Sequence, residues 1–184
     1  MSNNTIQGGQ KASVAWFALS NLIARKEKEK ALNVFRLLAH SFDDDPAYTL
    51  QIEGDILWYL DDVAQSIEKY KKAAFLYQKE KRLINAIAIY EHMLSINESS
   101  DEIRAQLIYF YMLADWHDKF KQHFTQLAQC YSKHQFDEQV LLKFAKLMTE
   151  ALNMPERKQT RAWVECTINE VCEQIMPELA QRFL

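Results

Sequence analysis

Residues 66–94 read SIEKYKKAAFLYQKEKRLINAIAIYEHML, and the stretch returns in altered form at residues 120–148 as FKQHFTQLAQCYSKHQFDEQVLLKFAKLM. Aligned, Tyr70 falls on Phe124, Ala74 on Ala128, Tyr77 on Tyr131, Tyr90 on Phe144 and Met93 on Leu147. The shift is constant at about 54 residues, and the matched positions are aromatic or small at helical intervals, the mark of a stacked helical repeat. A fainter third copy opens the chain, where Ala31 answers Ala86 and Phe35 answers Tyr90. Repetition of this kind points to a protein that presents a surface to a partner.

Composition agrees with helices. The chain has 184 residues, 48% of them hydrophobic, with only 3 Gly and 3 Pro. A sheet protein of this length needs more of both at its turns. One core is the default, burying roughly 70% of the unfolded surface without staples. The formal charge of -3 leaves no net positive field for phosphates, so nucleic acid is not an expected partner. Basic clusters at residues 25–30 and 69–82 are interrupted by Glu or lie along a polar helix face; they read as solvated surface, or as contact with an acidic partner. Cys130, Cys166 and Cys172 are odd in number and lack paired metal spacing, as expected of reduced thiols in the cytoplasm. No export signal or membrane span is visible.

Three divisions follow along the chain. Residues 1–10 are polar with a Gly pair and no periodicity, and the reading is a disordered tail. Residues 11–153 carry the helical repeats. Val14, Ala15, Ala18, Leu19, Leu22 and Ile23 make one stripe, and Ala31, Val34, Phe35 and Leu38 the next. Pro46 with the preceding acids starts a third helix, Asp61 or Asp62 caps a fourth running to about residue 80, and a fifth spans about 83–96. Ser99 or Ser100 caps the sixth, and helices over 120–133 and 138–152 repeat the long-short pair. Residues 154–184 differ: Val164, Ile168, Val171, Cys172 and Ile175 form one stripe and Arg161, Glu165, Asn169 and Glu173 the opposite one, as an end cap requires.

Each helix joint shows one pattern: a small or aliphatic residue, a small residue about twelve positions later on the next helix, then an aromatic one turn on. Gly54, Ser66 and Tyr70 satisfy it, as do Ala74, Ala86 and Tyr90, and Leu19, Ala31 and Phe35. Antiparallel helices cross closely only where neither carries bulk, and the aromatic fills the groove beside the crossing. This phrasing, clearest in GDILWYLDDVAQSIEKYKKAAFLY and AIAIYEHMLSIN, resembles the tetratricopeptide repeat family over residues 14–152. The resemblance implies an all-α, right-handed solenoid of stacked antiparallel hairpins with a C-terminal capping helix.

The resemblance also implies a concave groove, lined by the first helix of each hairpin, that takes an extended peptide or a partner helix. On the third helix the groove residues are Tyr48, Gln51, Asp55 and Trp58, with Trp16 and Ser20 on the first and Tyr109 and Met112 further along. Burial of Trp16 and Trp58 between helices is the plainer alternative. Asp43, Asp44, Asp45, Glu53, Asp55, Asp61 and Asp62 crowd one region, which favours a basic or amphipathic partner helix if they converge, and otherwise supplies caps. The clamp that grips acidic chaperone tails is not expected, because Trp16 and Ser20 stand at its positions. His123, Cys130 and His134 share a helix side, yet His123 lies about 10 Å along the axis from Cys130, too far to share an ion. No nucleophile, base and orienting group form a set and no phosphate loop exists, so neither catalysis nor a cofactor is expected. The function implied is a noncatalytic adaptor for another protein. A dedicated chaperone or subunit of a secretion-type or other multiprotein assembly is one alternative, and a ligand-sensing regulator another.

Overall fold

The computed structural model of the chain describes residues 3–40, 45–133 and 158–175, together with residues 139, 142, 146, 149 and 153. Among these residues the protein is all-α, with no strand: α1 (Asn3–Ala24), α2 (Lys28–Ala39), α3 (Pro46–Tyr59), α4 (Val63–Lys79), α5 (Leu83–Ile96), α6 (Asp101–Leu113), α7 (His117–Lys133) and α8 (Lys158–Ile175). The chain divides into two compact units, Met1–Ile89 and Tyr90–Leu184, with the division inside α5. The helix expected over residues 138–152 lies outside the described residues apart from the scattered positions named.

One boundary differs from expectation. α1 begins at Asn3, so the segment read as a disordered tail is helical from its third residue. Propagation accounts for this: the packed stripe at Ala15, Leu19, Leu22 and Ile23 meets the nucleation cost, and each residue added then gains one hydrogen bond.

Four connections are the same turn. After α1, α3, α4 and α6 the chain places Lys26, Asp61, Lys81 and Asp115 in the left-handed region, at φ of 58, 64, 61 and 55°. In each, the following amide donates to a carbonyl five residues back: Glu27 to Leu22, Asp62 to Leu57, Arg82 to Tyr77 and Trp116 to Tyr111. This pairing satisfies carbonyls that a helix end leaves open and reverses the chain at once. None of the four is glycine, so each turn carries left-handed strain of about 1 kcal/mol. The loops before α3 and α6 are capped instead. Asp45 accepts the Tyr48 amide at 2.9 Å, and Ser100 Oγ accepts the Ile103 amide at 3.3 Å. Turn, capped loop and turn at residues 26, 45 and 61 thus recur at 81, 100 and 115, the interval of about 55 residues already seen in the sequence.

In the first unit α1 packs on α2, α2 on α3 and α3 on α4. The α1–α2 turn lies against the α3–α4 turn. Lys26 pairs with Asp61 at 2.8 Å and donates to the Tyr59 carbonyl, while Lys28 pairs with Asp62 at 2.5 Å. Two left-handed residues therefore face each other, and the two hairpins stand with their turns in register. Pairs at the surface like these are screened by solvent and contribute little net stability, so they set register more than stability. Cohesion comes from the cluster of Leu19, Ala31, Leu32, Phe35, Leu38, Ile56 and Leu57, at roughly 1.5–3 kcal/mol per large side chain enclosed.

α3 meets α4 tightly at Gly54. A Cβ there would sit 2.7 Å from Tyr70 Cε1 and 2.8 Å from Cδ1. Ser66, Ala74 and Ala86 are wholly enclosed as well. The small-residue positions read from the sequence are thus interior ones, and the space over Gly54 is filled by the Tyr70 ring.

In the second unit α6 packs on α7 and α7 on α8. α6 is enclosed almost all round, through Ile103, Ala105, Leu107, Ile108, Phe110, Tyr111 and Met112. Phe120 stacks on Phe124 at 5.7 Å, and Trp163 of α8 meets Phe120 edge-on at 5.0 Å. Thr160 donates to Asp115 at 2.7 Å, which fastens the start of α8 to the α6–α7 turn. α8 buries Val164, Ile168, Val171 and Cys172 and exposes Arg161 and Glu173, while Ile175, Glu165 and Asn169 of the two expected stripes are half-buried. No described helix is long and apolar enough to cross a membrane.

Gly54→Ala tests the crossing. Alanine favours a helix by up to about 1 kcal/mol over glycine, whereas forcing a methyl against an immobile ring costs about 1–3 kcal/mol. Tyr70 is fully enclosed and hydrogen-bonded, so the second effect wins and urea denaturation should show a net loss. An unchanged or higher midpoint would show that the ring gives way.

Candidate functional site

α3 carries the strip expected on it. Asp45 caps its amides and Pro46 starts it, which fixes where the helix begins. Tyr48 and Trp58 stand exposed at either end, at 40% and 36%, and Trp58 lies 5.0 Å from the exposed Tyr59 ring. Between them, Gln51 and Asp55 are held from beneath by α4: Tyr77 donates to Gln51 Oε1 at 2.8 Å, and Tyr70 to Asp55 Oδ1 at 2.6 Å. Burial, and then the Asp55 carboxylate, pushes the Tyr70 hydroxyl far above the ordinary phenol range. Tyr77 is raised too, by burial and then by Asp45. Both hydroxyls therefore remain donors, and the two α3 acceptors keep fixed positions.

The remaining expected residues fall out differently. Trp16 is 39% exposed and Ser20 is exposed on α1, where Ser20 Oγ donates to the Phe17 carbonyl at 2.9 Å. Tyr109 is half-buried, edge-on to Phe110 at 5.7 Å. Met112 is fully enclosed and cannot present a surface, which corrects its assignment to an open face. The reason is that α6 is packed on nearly every side, so helical spacing alone cannot mark one of its faces as open. The structure joins Tyr48, Gln51, Asp55 and Trp58 into one strip of the first unit; Tyr109 and Met112 belong to the second.

The acidic crowd is occupied. Asp45 pairs with Arg82 at 2.7 Å, Glu53 with Lys69 at 2.7 Å, Asp61 with Lys26 and Asp62 with Lys28, while Asp55 serves Tyr70. Partial burial pulls Asp45 upward, but the Tyr48 amide and the Arg82 guanidinium hold it below the ordinary carboxyl value. Asp62 is held low by Lys28 and by the Gln65 amide. These groups are caps and pins. Asp43 and Asp44 lie outside the described residues.

The second unit holds a polar cleft of about 450 Å³ between α5, α6 and α7, whose lining includes Glu91, Arg104, Tyr111, Lys119, His123 and Gln126. Tyr111 donates to Glu91 at 2.7 Å, and Lys119 approaches the same carboxylate at 3.5 Å. Arg104 donates to Gln126 at 2.5 Å and to the Glu98 carbonyl at 2.8 Å. His123 leans on Tyr111 with ring centroids 5.2 Å apart, and its Nδ1 is buried without a hydrogen-bond partner. Burial, then Arg104 and Lys119, pushes its pKa below the ordinary imidazole value against the opposing pull of Glu91. Glu91 is thus shared by Tyr111 and Lys119, whereas Arg104 meets only neutral acceptors and keeps its Nε buried without a partner. Among the described residues no three His, Cys, Asp or Glu side chains gather to hold a metal; Cys130 is half-buried, and His134 lies outside them.

Sequence reasoning did not assemble this cleft, because its residues come from three helices and carry mixed charge. The one available signal was Arg104, a cation inside the apolar run of α6. Comparison of the chain with protein-family models, curated proteins and solved structures finds no match.

His123 gives the site a pH signature. Its folded-state pKa lies below the 6.5 of a free imidazole, so the unfolded chain takes up the proton first. Stability is therefore full above that value and falls as pH drops toward the lower folded one. Denaturation from pH 7 to 5 should show a smaller loss for His123→Gln than for the wild type. Parallel curves would mean that His123 titrates alike in both states.

Proposed function

We propose that the chain is a noncatalytic protein-binding module, a tetratricopeptide-like right-handed α-solenoid that holds a peptide or helix of a partner protein along the strip from Tyr48 to Trp58. The observation that supports this most is the state of α3: two aromatic side chains stand exposed at its ends, while the acceptors between them are held by buried tyrosine hydroxyls. A strip so fixed orders few side chains on binding, and the entropy of ordering is a main cost of association. Aromatic residues at its ends match the residue types that dominate binding energy in protein interfaces, often at about 2 kcal/mol or more each. Trp16 and Ser20 extend the candidate surface on α1. The partner need not be basic, because the described acids of this region are already paired within the chain.

The test couples capture to stability. Tagged protein incubated with native lysate and crosslinked should recover a partner identified by mass spectrometry. The double variant Tyr48→Ala, Trp58→Ala should lower that recovery at least about tenfold, with a stability change near the small value of surface sites, about 0.5 kcal/mol per position. Undiminished recovery would remove this strip from the interface.

A further inference from the structure

The basic stretch at residues 69–82 is only partly accounted for by internal pairing. Lys69 pairs with Glu53, and Arg82 with Asp45 and Glu80. Lys72 and Lys79 form no ion pair among the described residues; Lys79 instead rests over the Phe75 ring, 5.4 Å from its centroid. Lys72, Phe75 and Lys79 follow one another at helical spacing along the outer side of α4, and Phe75 is 58% exposed. Beside it lies a depression of about 410 Å³ lined by Leu50, Lys71, Lys72, Phe75 and Leu76. Its surface is almost wholly apolar, so Lys71 and Lys72 meet it with their methylene stems.

An exposed phenylalanine beside an apolar hollow extends the apolar surface left in water, and here Lys72 and Lys79 flank it on a chain whose net charge is -3. The arrangement differs from the α3 strip, where charges are paired and the exposed aromatics flank polar acceptors. We infer that this face of α4 docks an acidic segment of a partner protein, one that inserts a bulky apolar side chain beside Phe75 and sets Asp or Glu against Lys72 and Lys79. The charge complementarity is local, with Lys72 and Lys79 on either side of Phe75 and outweighing Glu68 one turn away, and neither the -3 net charge nor one exposed ring suits a flat anionic membrane. This goes beyond the proposed function, since it concerns a second surface and fixes the partner's chemistry.

Selection from a display library of random sixteen-residue peptides tests it, with the full chain as bait and Lys72→Glu, Phe75→Ala as counter-bait. Circular dichroism and melting first establish that the variant is folded. The expected result is enrichment of sequences with Leu, Phe or Trp bracketed by Asp and Glu. A synthetic peptide of that consensus should bind at least tenfold more weakly to the variant and weaken as salt rises, yet bind Tyr48→Ala, Trp58→Ala normally. No enrichment, enrichment of basic peptides, or equal binding to the α4 variant would overturn the proposal. So would binding to phosphatidylserine vesicles, lost in the α4 variant, without peptide enrichment. Loss of peptide binding in the α3 variant alone would also overturn it, by assigning the acidic segment to the other surface.

Discussion

The first unit depends on one side chain reaching across a helix crossing. Tyr70 is fully enclosed, its ring occupies the space that a side chain at position 54 would need, and its hydroxyl ends on Asp55. The ring therefore sets how near α3 comes to α4, and the hydroxyl sets the rotation of α3 about its own axis. That rotation places Tyr48 and Trp58 outward. Tyr77, two turns along α4, repeats the contact at Gln51, so α3 is held at two points along its length. The second unit uses the same device, with Tyr111 of α6 reaching Glu91 of α5.

Such pins cost little to keep. A buried hydroxyl without an acceptor loses about 1–3 kcal/mol, and an acceptor on the neighbouring helix converts that liability into a constraint on geometry. Between pins, the left-handed turns do the spacing. Each closes a helix with two backbone hydrogen bonds and starts the next within three residues, so helix ends arrive at fixed places and the Lys26–Asp61 and Lys28–Asp62 pairs find each other. The strain at four non-glycine positions is modest beside the apolar area the resulting packing removes from water.

Most helix boundaries were legible because punctuation in this chain is local. Pro46 after Asp45, Ser100 before Asp101 and the apolar stripes of α4 and α5 each act within a few residues. The small positions at Gly54, Ala74 and Ala86 were legible for the same reason, since spacing along a helix is fixed. Contacts between distant residues were not. Nothing at Tyr70 announces that its hydroxyl ends on Asp55, and nothing at Arg104 or His123 announces a shared cleft. Met112 misled because one helix taken alone cannot reveal how many neighbours surround it. The left-handed turns were hidden by residue type, as Lys and Asp stand where glycine would have signalled them.

The most direct measurement is a double-mutant cycle between Tyr70→Phe, which removes only the hydroxyl, and Asp55→Ala, read by equilibrium denaturation. If the hydroxyl orients α3, the two losses are not additive, with a coupling of about 1.5–3 kcal/mol, the range of a hydrogen bond to a charged group. Additivity within about 0.3 kcal/mol would show the contact to be incidental, and the outward placement of Tyr48 and Trp58 would then need another cause.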